Sequence, residues 1–514
     1  MFLRKKGFAT LVALLCIAGL IASCGPAVDN DVTVPDEPQE VTIAVAALPQ
    51  ALSAGKGTFG RDTNVKSLIN FGLVQWDENM IVEPLVAQDI VFLDDTTIVF
   101  ELHEGILFHD GVEMTSADVK YTYSVLLDED YGHLYRSRYA PIKEIVTPDP
   151  YTVEFHLHEP NAPLLSYMNA GIMPQHIGEE KGVDFLDENP VGIGPYKLVD
   201  WSLDEHIILE AFDDCFWGRP VIDKITFREI PEVSARLIEL EAGTVDLIDF
   251  VPPEDVERLE GVADIRLDIS PGTGLMYAYP NHEVPPLDDV KVRRALAHLI
   301  DETKMVDHVL RGQGELAYSP IVPSSWAYNA DVVRYEFDPE KAQELLAEAG
   351  YPDGLELTLE FYWPLWREMA EIMQHDFAAG GVDLNVVQID RGVWFEEHGE
   401  GNFELAILSF GSQVEPDRGV REVLHSRNIA PAGANFSRYS NSEVDALIEE
   451  ASRVFDIDER TALYHEIQRI VTEDVAWLGY GGAAHTISAH TTRLQNFRFN
   501  QFFMFRQLYK AHIE

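Results

Sequence analysis

The chain has 514 residues, 46% of them apolar and 10% aromatic, which is ample for folded cores but too long for one compact core, so two or three subdomains are expected. Its 87 acidic residues against 38 basic ones leave a formal net charge of −49, and the acids are dispersed rather than gathered in a tail. Such a surface repels nucleic acid and anionic headgroups, and with only 13 lysines among the basic residues it is the kind that high salt favours by screening self-repulsion.

Arg4, Lys5 and Lys6 give a positive start, Phe8 to Leu20 a short apolar stretch, and Ile21-Ala22-Ser23-Cys24 places small residues directly before a cysteine. A bilayer-spanning helix needs about 20 apolar residues, so residues 1–24 read as an export signal and not as a permanent span. The pattern resembles the lipobox of bacterial lipoproteins. That resemblance implies a signal peptide removed before Cys24, a lipid on the Cys24 thiol, and a mature chain anchored to the cell envelope, in the periplasmic space or on the outer face of the cytoplasmic membrane. An ordinary secretory signal with an incidental cysteine is the alternative. Residues 25–40 read as a flexible tether, because Pro26, Pro35 and Pro38 stand among Asp29, Asp31, Asp36 and Glu37 and keep the segment extended. Cys16 leaves with the signal and Cys24 carries the lipid, so Cys215 is left alone and no disulfide is expected.

The folded body opens on the strand Val41-Thr42-Ile43-Ala44-Val45. Glu83 to Ala87 reads as a strand, and alternation marks two more at Ile98–Leu102 and Val153–Leu157. Thr115-Ser116-Ala117-Asp118 is a capping-box pattern ahead of a helix whose buried face is Val119, Tyr123 and Leu126. Asp338-Pro339 opens a helix with the stripe Ala342, Leu345, Leu346 and Ala349, closed by Gly350. Ser442 to Asp445 reads as another capping box, with Val444, Leu447, Ile448 and Ala451 facing inward. Helices and strands alternate along the whole chain, which predicts a mixed α/β architecture.

Three patterns resemble reactive sites in isolation. His109-Asp110-Gly111 contains a pair capable of acid–base work, but its place between a strand and a capped helix predicts a turn with Gly111 at positive φ. Gly192-Ile193-Gly194 is followed by Pro195 and by no phosphate-binding lysine motif, which predicts a close-packed turn. His156 and His158 share one strand face without a third ligand nearby, so exposed strand residues are expected. No catalytic residue, metal site or cofactor is expected.

In chain order, the blocks Glu83-Pro84-Leu85-Val86-Ala87, Phe108 to Val119, Gly192-Ile193-Gly194-Pro195-Tyr196, Phe216-Trp217-Gly218, Leu240 to Asp246, Asp289 to Leu296 with Ile300-Asp301, Tyr439 to Asp445 and Arg460 to Gln468 resemble extracellular solute-binding proteins of family 5. That group contains the oligopeptide-, dipeptide- and nickel-binding components of ABC importers. The resemblance runs from about Val41 to the end of the chain.

It implies an α/β, two-lobed fold of the periplasmic-binding-protein type (type II), with an extra inserted subdomain in the first lobe. Lobe 1 is placed at residues 41–278 with 482–514, its insertion at about 71–185, and lobe 2 at 279–481; the hinge falls near Pro271–Tyr279 and Gly479–Gly482. It further implies a monomer that encloses a small-molecule ligand between the lobes and presents it to an ABC permease and its ATPase. Peptides come first as cargo, oligosaccharides second and nickel or a metal chelate third; an envelope hydrolase and a ligand-presenting sensor are the alternatives from other classes.

Peptide binders of the family hold the ligand's ammonium with an Asp in a W-x-x-D-x-x-D/E-P segment. Here Ser409-Phe410-Gly411-Ser412-Gln413-Val414-Glu415-Pro416-Asp417 occupies that place, with neutral Ser412 at the Asp position. Glu415 or Asp417 is the replacement carboxylate after a small register change. Phe59, Tyr277, Trp363, Trp394 and Phe410 are the expected apolar contacts, with Trp366 and Tyr279 nearby, and each aromatic has a competing role in the core. Asn281 matches an Asn common in the family and either contacts ligand or caps a turn.

Overall fold

The computed structural model describes residues 37–53, 55–56, 60–411, 415–499 and 505–514. The signal segment with Cys24, most of the tether, Phe59 and Ser412 lie outside the described residues. Three principal sheets organise the described residues.

The first is a seven-stranded mixed sheet in the order Ile265–Ser270, Thr486–Thr491, Leu247–Ile248, Glu40–Val45, Lys224–Glu229, His206–Ala211, Tyr196–Ser202. Glu40–Val45 runs parallel to both of its neighbours, and the remaining pairs are antiparallel. Its side chains separate by period 2: Val41, Ile43 and Val45 enter one core and Ala44 the other. The strand begins at Glu40, so the expected tether ends one residue earlier than its charge pattern indicates.

The second sheet is a four-stranded antiparallel insertion: Ala87–Asp94, Thr97–Leu102, Thr152–Leu157 and Ile142–Asp149. The helix Ser116–Leu127 packs on it, with Val119, Tyr123 and Leu126 buried. The Asp118 carboxylate accepts from Thr115 N at 2.8 Å and from Thr115 Oγ1 at 3.2 Å, which closes the expected capping box. The Glu83–Ala87 segment is not one strand. Pro84, which has no N–H to donate, ends the piece Val82–Pro84, and consecutive burial of Leu85 and Val86 breaks the alternation before the next strand starts at Ala87. The insertion also runs past residue 185. Helix Val183–Glu188 packs with Ile177 against Tyr121 and Val125, and Ile193 still belongs to the insertion's core.

His109 joins this insertion to the loop that follows it. Gly192 N–H donates to His109 Nδ1 at 3.2 Å, which leaves the proton on Nε2 for the Gly194 carbonyl at 3.0 Å. Burial lowers the ring's pKa to about 4, so this neutral tautomer persists at neutral pH. The expected turn is present, with Gly111 at φ 85°. A Cβ on Gly192 or Gly194 would meet the carbonyl oxygens of Ile69 and Leu68 at 2.1 and 2.5 Å, so the close approach requires glycine at both.

The third sheet has five strands in the order Val382–Gln388, Leu355–Phe361, Leu405–Phe410, Leu275–Pro280, Gly479–Tyr480. The first three are mutually parallel, and Leu275–Pro280 runs antiparallel to its two neighbours. Helices enclose it around a single core that contains Phe361, Phe377, Trp394 and Tyr464. Asp338 caps Pro339–Glu348 by accepting from Lys341 N at 2.9 Å, and Gly350 adopts φ 98° beyond its end. The cap of Ser442–Ala451 is Asn441, one residue before the expected Ser442, because the Asn amide oxygen reaches Glu443 N at 2.9 Å and Val444 N at 3.4 Å. Arg293 of the helix Val290–Ala297 donates to the carbonyls of Leu287, Asp288, Asp474 and Val475, bracing the end of the helix Ile457–Glu473.

Candidate ligand-binding cleft

Two chain crossings join the first and third sheets. The chain leaves the first sheet at Ser270 and enters the third at Leu275; it leaves the third at Tyr480 and re-enters the first at Thr486. The first crossing thus falls earlier than the expected boundary after residue 278, because Leu275 already pairs with Phe410 and Tyr277 with Leu408 and Tyr480. The two connecting segments touch: a Cβ on Gly272 would lie 2.0 Å from the Ala484 oxygen, and Gly481 N donates to the Met276 carbonyl at 2.7 Å. Short crossings with glycines at their contact are the places where backbone rotation between lobes is absorbed.

Register shows which sheet ends face the crossings. In the first sheet, Thr486 pairs with Ser270, and Val251 N donates to the Ile487 carbonyl at 2.8 Å, so the carboxyl ends of Glu40–Val45 and Leu247–Ile248 lie on the crossing side. In the third sheet, Leu275 pairs with Phe410, so the carboxyl ends of the three parallel strands also lie on that side. Open α/β sheets bind ligands outside such carboxyl ends.

The wall on the third sheet is aromatic. Trp363, in the turn after Leu355–Phe361, is 46% exposed; Leu365, Val393 and Phe395, on this and the adjacent connection, are exposed as well. Arg391 lies over Phe395 at 5.2 Å from the ring centroid, and Phe410 sits under Arg418 at 5.2 Å. Large apolar side chains gathered at strand ends mark a recognition surface.

Several expected contacts belong to the interior. Trp394 is fully buried, stacked on His398 at 4.0 Å, and that ring is in turn stacked on Phe403 at 4.2 Å. Tyr277 lies flat on Trp477 at 3.8 Å in the core, and Trp366 and Tyr279 are buried there too. Asn281 is buried, with its amide donating to the carbonyls of Gly401 and Phe403 at 2.8 and 3.1 Å, so it braces a turn within the second lobe.

Both replacement carboxylates are engaged. Glu415 accepts from Arg460 Nη2 at 2.5 Å and from Ser166 Oγ at 2.7 Å, all three buried. Ser166 belongs to the insertion, so this triad joins the insertion to the second lobe, beside the backbone bond from Ala162 N to the Ser452 carbonyl and the Phe92–Phe455 ring contact. Asp417 pairs with Arg421 at 2.8 Å, and burial, opposed by that arginine, raises its carboxyl pKa. Neither carboxylate presents a free charge to a ligand.

On the wall of the first sheet, Asp249 and Phe250 follow the strand Leu247–Ile248, and Phe250 is 46% exposed. The sequence reading passed over both. The available signal was an acid and an aromatic directly after a short apolar strand, downstream of the Leu240–Asp246 block. Among the described residues no group of three or more His, Cys, Asp or Glu side chains is placed to hold a metal, and no helix is long and apolar enough to cross a membrane. His156 contacts Glu154 at 3.4 Å and His158 is exposed. Cys215 is buried and unpaired with another cysteine, and burial raises its thiol pKa to about 11.

Comparison with known proteins agrees with this geometry. Residues 82–430 match the family described as bacterial extracellular solute-binding proteins, family 5 Middle. The chain is 30% identical to Heme-binding protein A of Haemophilus influenzae over 432 residues, covering 77% of this chain and 78% of that protein. It is 27% identical over 506 residues to Oligopeptide-binding protein AppA of Bacillus subtilis, covering 92% of each. The structure of that AppA in complex with a nonapeptide matches with a TM-score of 0.72 at 26% identity, covering 93% of this chain and 100% of that one. HbpA2 from Haemophilus parasuis matches with a TM-score of 0.86 at 26% identity, covering 92% and 100%. The two-lobed fold and the match over most of its length establish that this chain belongs to family 5 of the bacterial extracellular solute-binding proteins.

Proposed function

We propose that this chain is the substrate-binding component of an ABC importer, which captures short peptides between its two lobes and delivers them to a membrane permease. The observation that carries this reading is that both sheets turn strand carboxyl ends to the side of two short crossings, with exposed Trp363, Leu365, Val393 and Phe395 following strands of the third sheet and exposed Phe250 following a strand of the first. Extended peptides suit such a site, because backbone groups and intermittent apolar side chains are recognised along a groove. The likeness to AppA, solved with a nonapeptide, supports the cargo class. Binding between the lobes favours the closed arrangement, and recognition of that arrangement by a permease couples capture to transport. No chemical step is involved.

The same reading places a lipid on Cys24, with residues 25–39 as a tether that holds a monomeric body off the membrane. Lobe 1 is assigned residues 40–270 with 486–514, including the insertion from about Phe71 to Ile193, and lobe 2 residues 275–480. Mass spectrometry of small molecules released by denaturing purified residues 25–514 tests the cargo. A spread of short peptides is the expected result. Oligosaccharide or porphyrin masses without peptides would overturn it.

A further inference from the structure

The carboxylates of the second lobe that stand nearest the expected ammonium position are neutralised within the fold, which leaves open what receives a ligand's positive end. Among the described residues, Asp249 differs from the other acids that carry a buried oxygen without a hydrogen bond. Asp187, Asp376 and Asp417 each pair with a cation, at 2.8 Å to Lys56, 2.7 Å to Lys304 and 2.8 Å to Arg421. Asp249 has a buried Oδ1 with no partner and forms no ion pair with another residue among the described residues.

Its neighbours are largely committed elsewhere. Arg236, the nearest cation, is buried and directs Nη1 to the carbonyls of Ile230 and Pro231 at 2.6 and 2.9 Å, while its Nε, like Asp249 Oδ1, is buried without a hydrogen bond. Glu229, at the end of Lys224–Glu229 two strands away in the sheet, accepts from Leu48 N at 2.7 Å. Asp246, three residues earlier, accepts from Thr42 N at 2.9 Å. Burial, only partly offset by Arg236 and by Asp249's own backbone N–H, raises the Asp249 carboxyl pKa to about 6, so at neutral pH the fold holds a desolvated charge that it satisfies only in part.

Its position gives that charge a use. Asp249 stands at the carboxyl end of Leu247–Ile248, on the crossing side of the first sheet and next to exposed Phe250; exposed Trp363 likewise follows the carboxyl end of a strand of the third sheet. We propose that Asp249 is the anchor for the ligand's ammonium, so that the positive end of the peptide binds the first lobe and its side chains lie along the aromatic wall of the second. A free α-ammonium supplies three donors and a full charge to a carboxylate that has no ion pair and one buried oxygen without a hydrogen bond. The assignment rests on the peptide reading.

The test is capture of a random tetrapeptide library by ligand-stripped protein, in two arms with the amino terminus free or acetylated, read by mass spectrometry of what is retained. The wild type retains free-amino members over acetylated ones by about tenfold to a hundredfold, the range of a charge-assisted bond. Asp249→Asn abolishes that preference while its melting temperature stays at or above the wild-type value. Asp249→Ser is read in parallel, so that a packing fault in one variant does not decide the result. Undiminished preference in the folded variants overturns the assignment and leaves peptide binding standing. Capture of neither arm by the wild type overturns the peptide reading and the assignment with it.

Discussion

The two walls of the cleft treat charge in opposite ways. On the second lobe, Glu415 and Asp417 look available in the sequence, yet each is closed off by an arginine, and Glu415 is also held by a serine from the insertion. On the first lobe, Asp249 forms no ion pair among the described residues, and its buried Oδ1 has no hydrogen bond. A buried charge that is fully paired is part of the scaffold, whereas one that is buried and unpaired destabilises the fold and persists where it serves a ligand. The same division applies to the aromatics: Trp394 is interior and Trp363 is on the wall.

That contrast is broken most severely on the scaffold side. Trp394→Ala removes the ring stacked on His398 and should cost about 3–5 kcal/mol in urea unfolding. Glu415→Gln leaves Arg460 buried beside a neutral partner; the expected loss is again about 3–5 kcal/mol, accompanied by weaker docking of the insertion on the second lobe, visible as faster amide exchange around Ser166. A mild effect of either change would mean that the second lobe does not depend on these groups.

On the ligand side the sign reverses. The Asp249 carboxyl loses its proton near 3.8 when unfolded and near 6 when folded, so wild-type stability falls as the pH rises through that window. Asp249→Asn should therefore raise stability by about 1–3 kcal/mol at pH 7, with the gain shrinking to nothing as the pH drops below the unfolded value. A destabilised Asp249→Asn protein at pH 7 would place this residue in the scaffold. Smallest in stability terms is Trp363→Ala, expected within about 0.5 kcal/mol of wild type by thermal melting, while peptide affinity measured by calorimetry falls by about tenfold.

Local features were legible before the fold was in hand wherever a short-range rule decides them. The Asp338 cap, the Gly111 turn, the alternating strands at Ile98 and Val153 and the apolar helix face at Val119, Tyr123 and Leu126 all follow from neighbours a few residues away. The cap at Asn441 in place of Ser442 shows the limit of such rules, since two adjacent residues both satisfy them. Site residues were less legible because their roles depend on distant partners. Arg460 lies 45 positions after Glu415 and Ser166 lies 249 before it, so nothing near Glu415 reveals that its charge is neutralised. Trp363 and Trp394 likewise differ only in setting: Trp363 is exposed in a turn, whereas Trp394 lies on the core face of the helix Arg391–Glu400, between exposed Val393 and Phe395. For Asp249 the sequence offers only an acid and an aromatic after a short apolar strand; that its Oδ1 is buried without a hydrogen bond is visible only in three dimensions.

The central claim is that ligand binds between the lobes and brings them together. Small-angle X-ray scattering of ligand-stripped residues 25–514, before and after adding back the peptides released from the purified protein, tests it most directly. The radius of gyration should decrease on saturation, and the decrease should be lost in the Trp363→Ala, Asp249→Asn double variant at the same peptide concentration. An unchanged radius of gyration in wild-type protein that demonstrably holds peptide would contradict it.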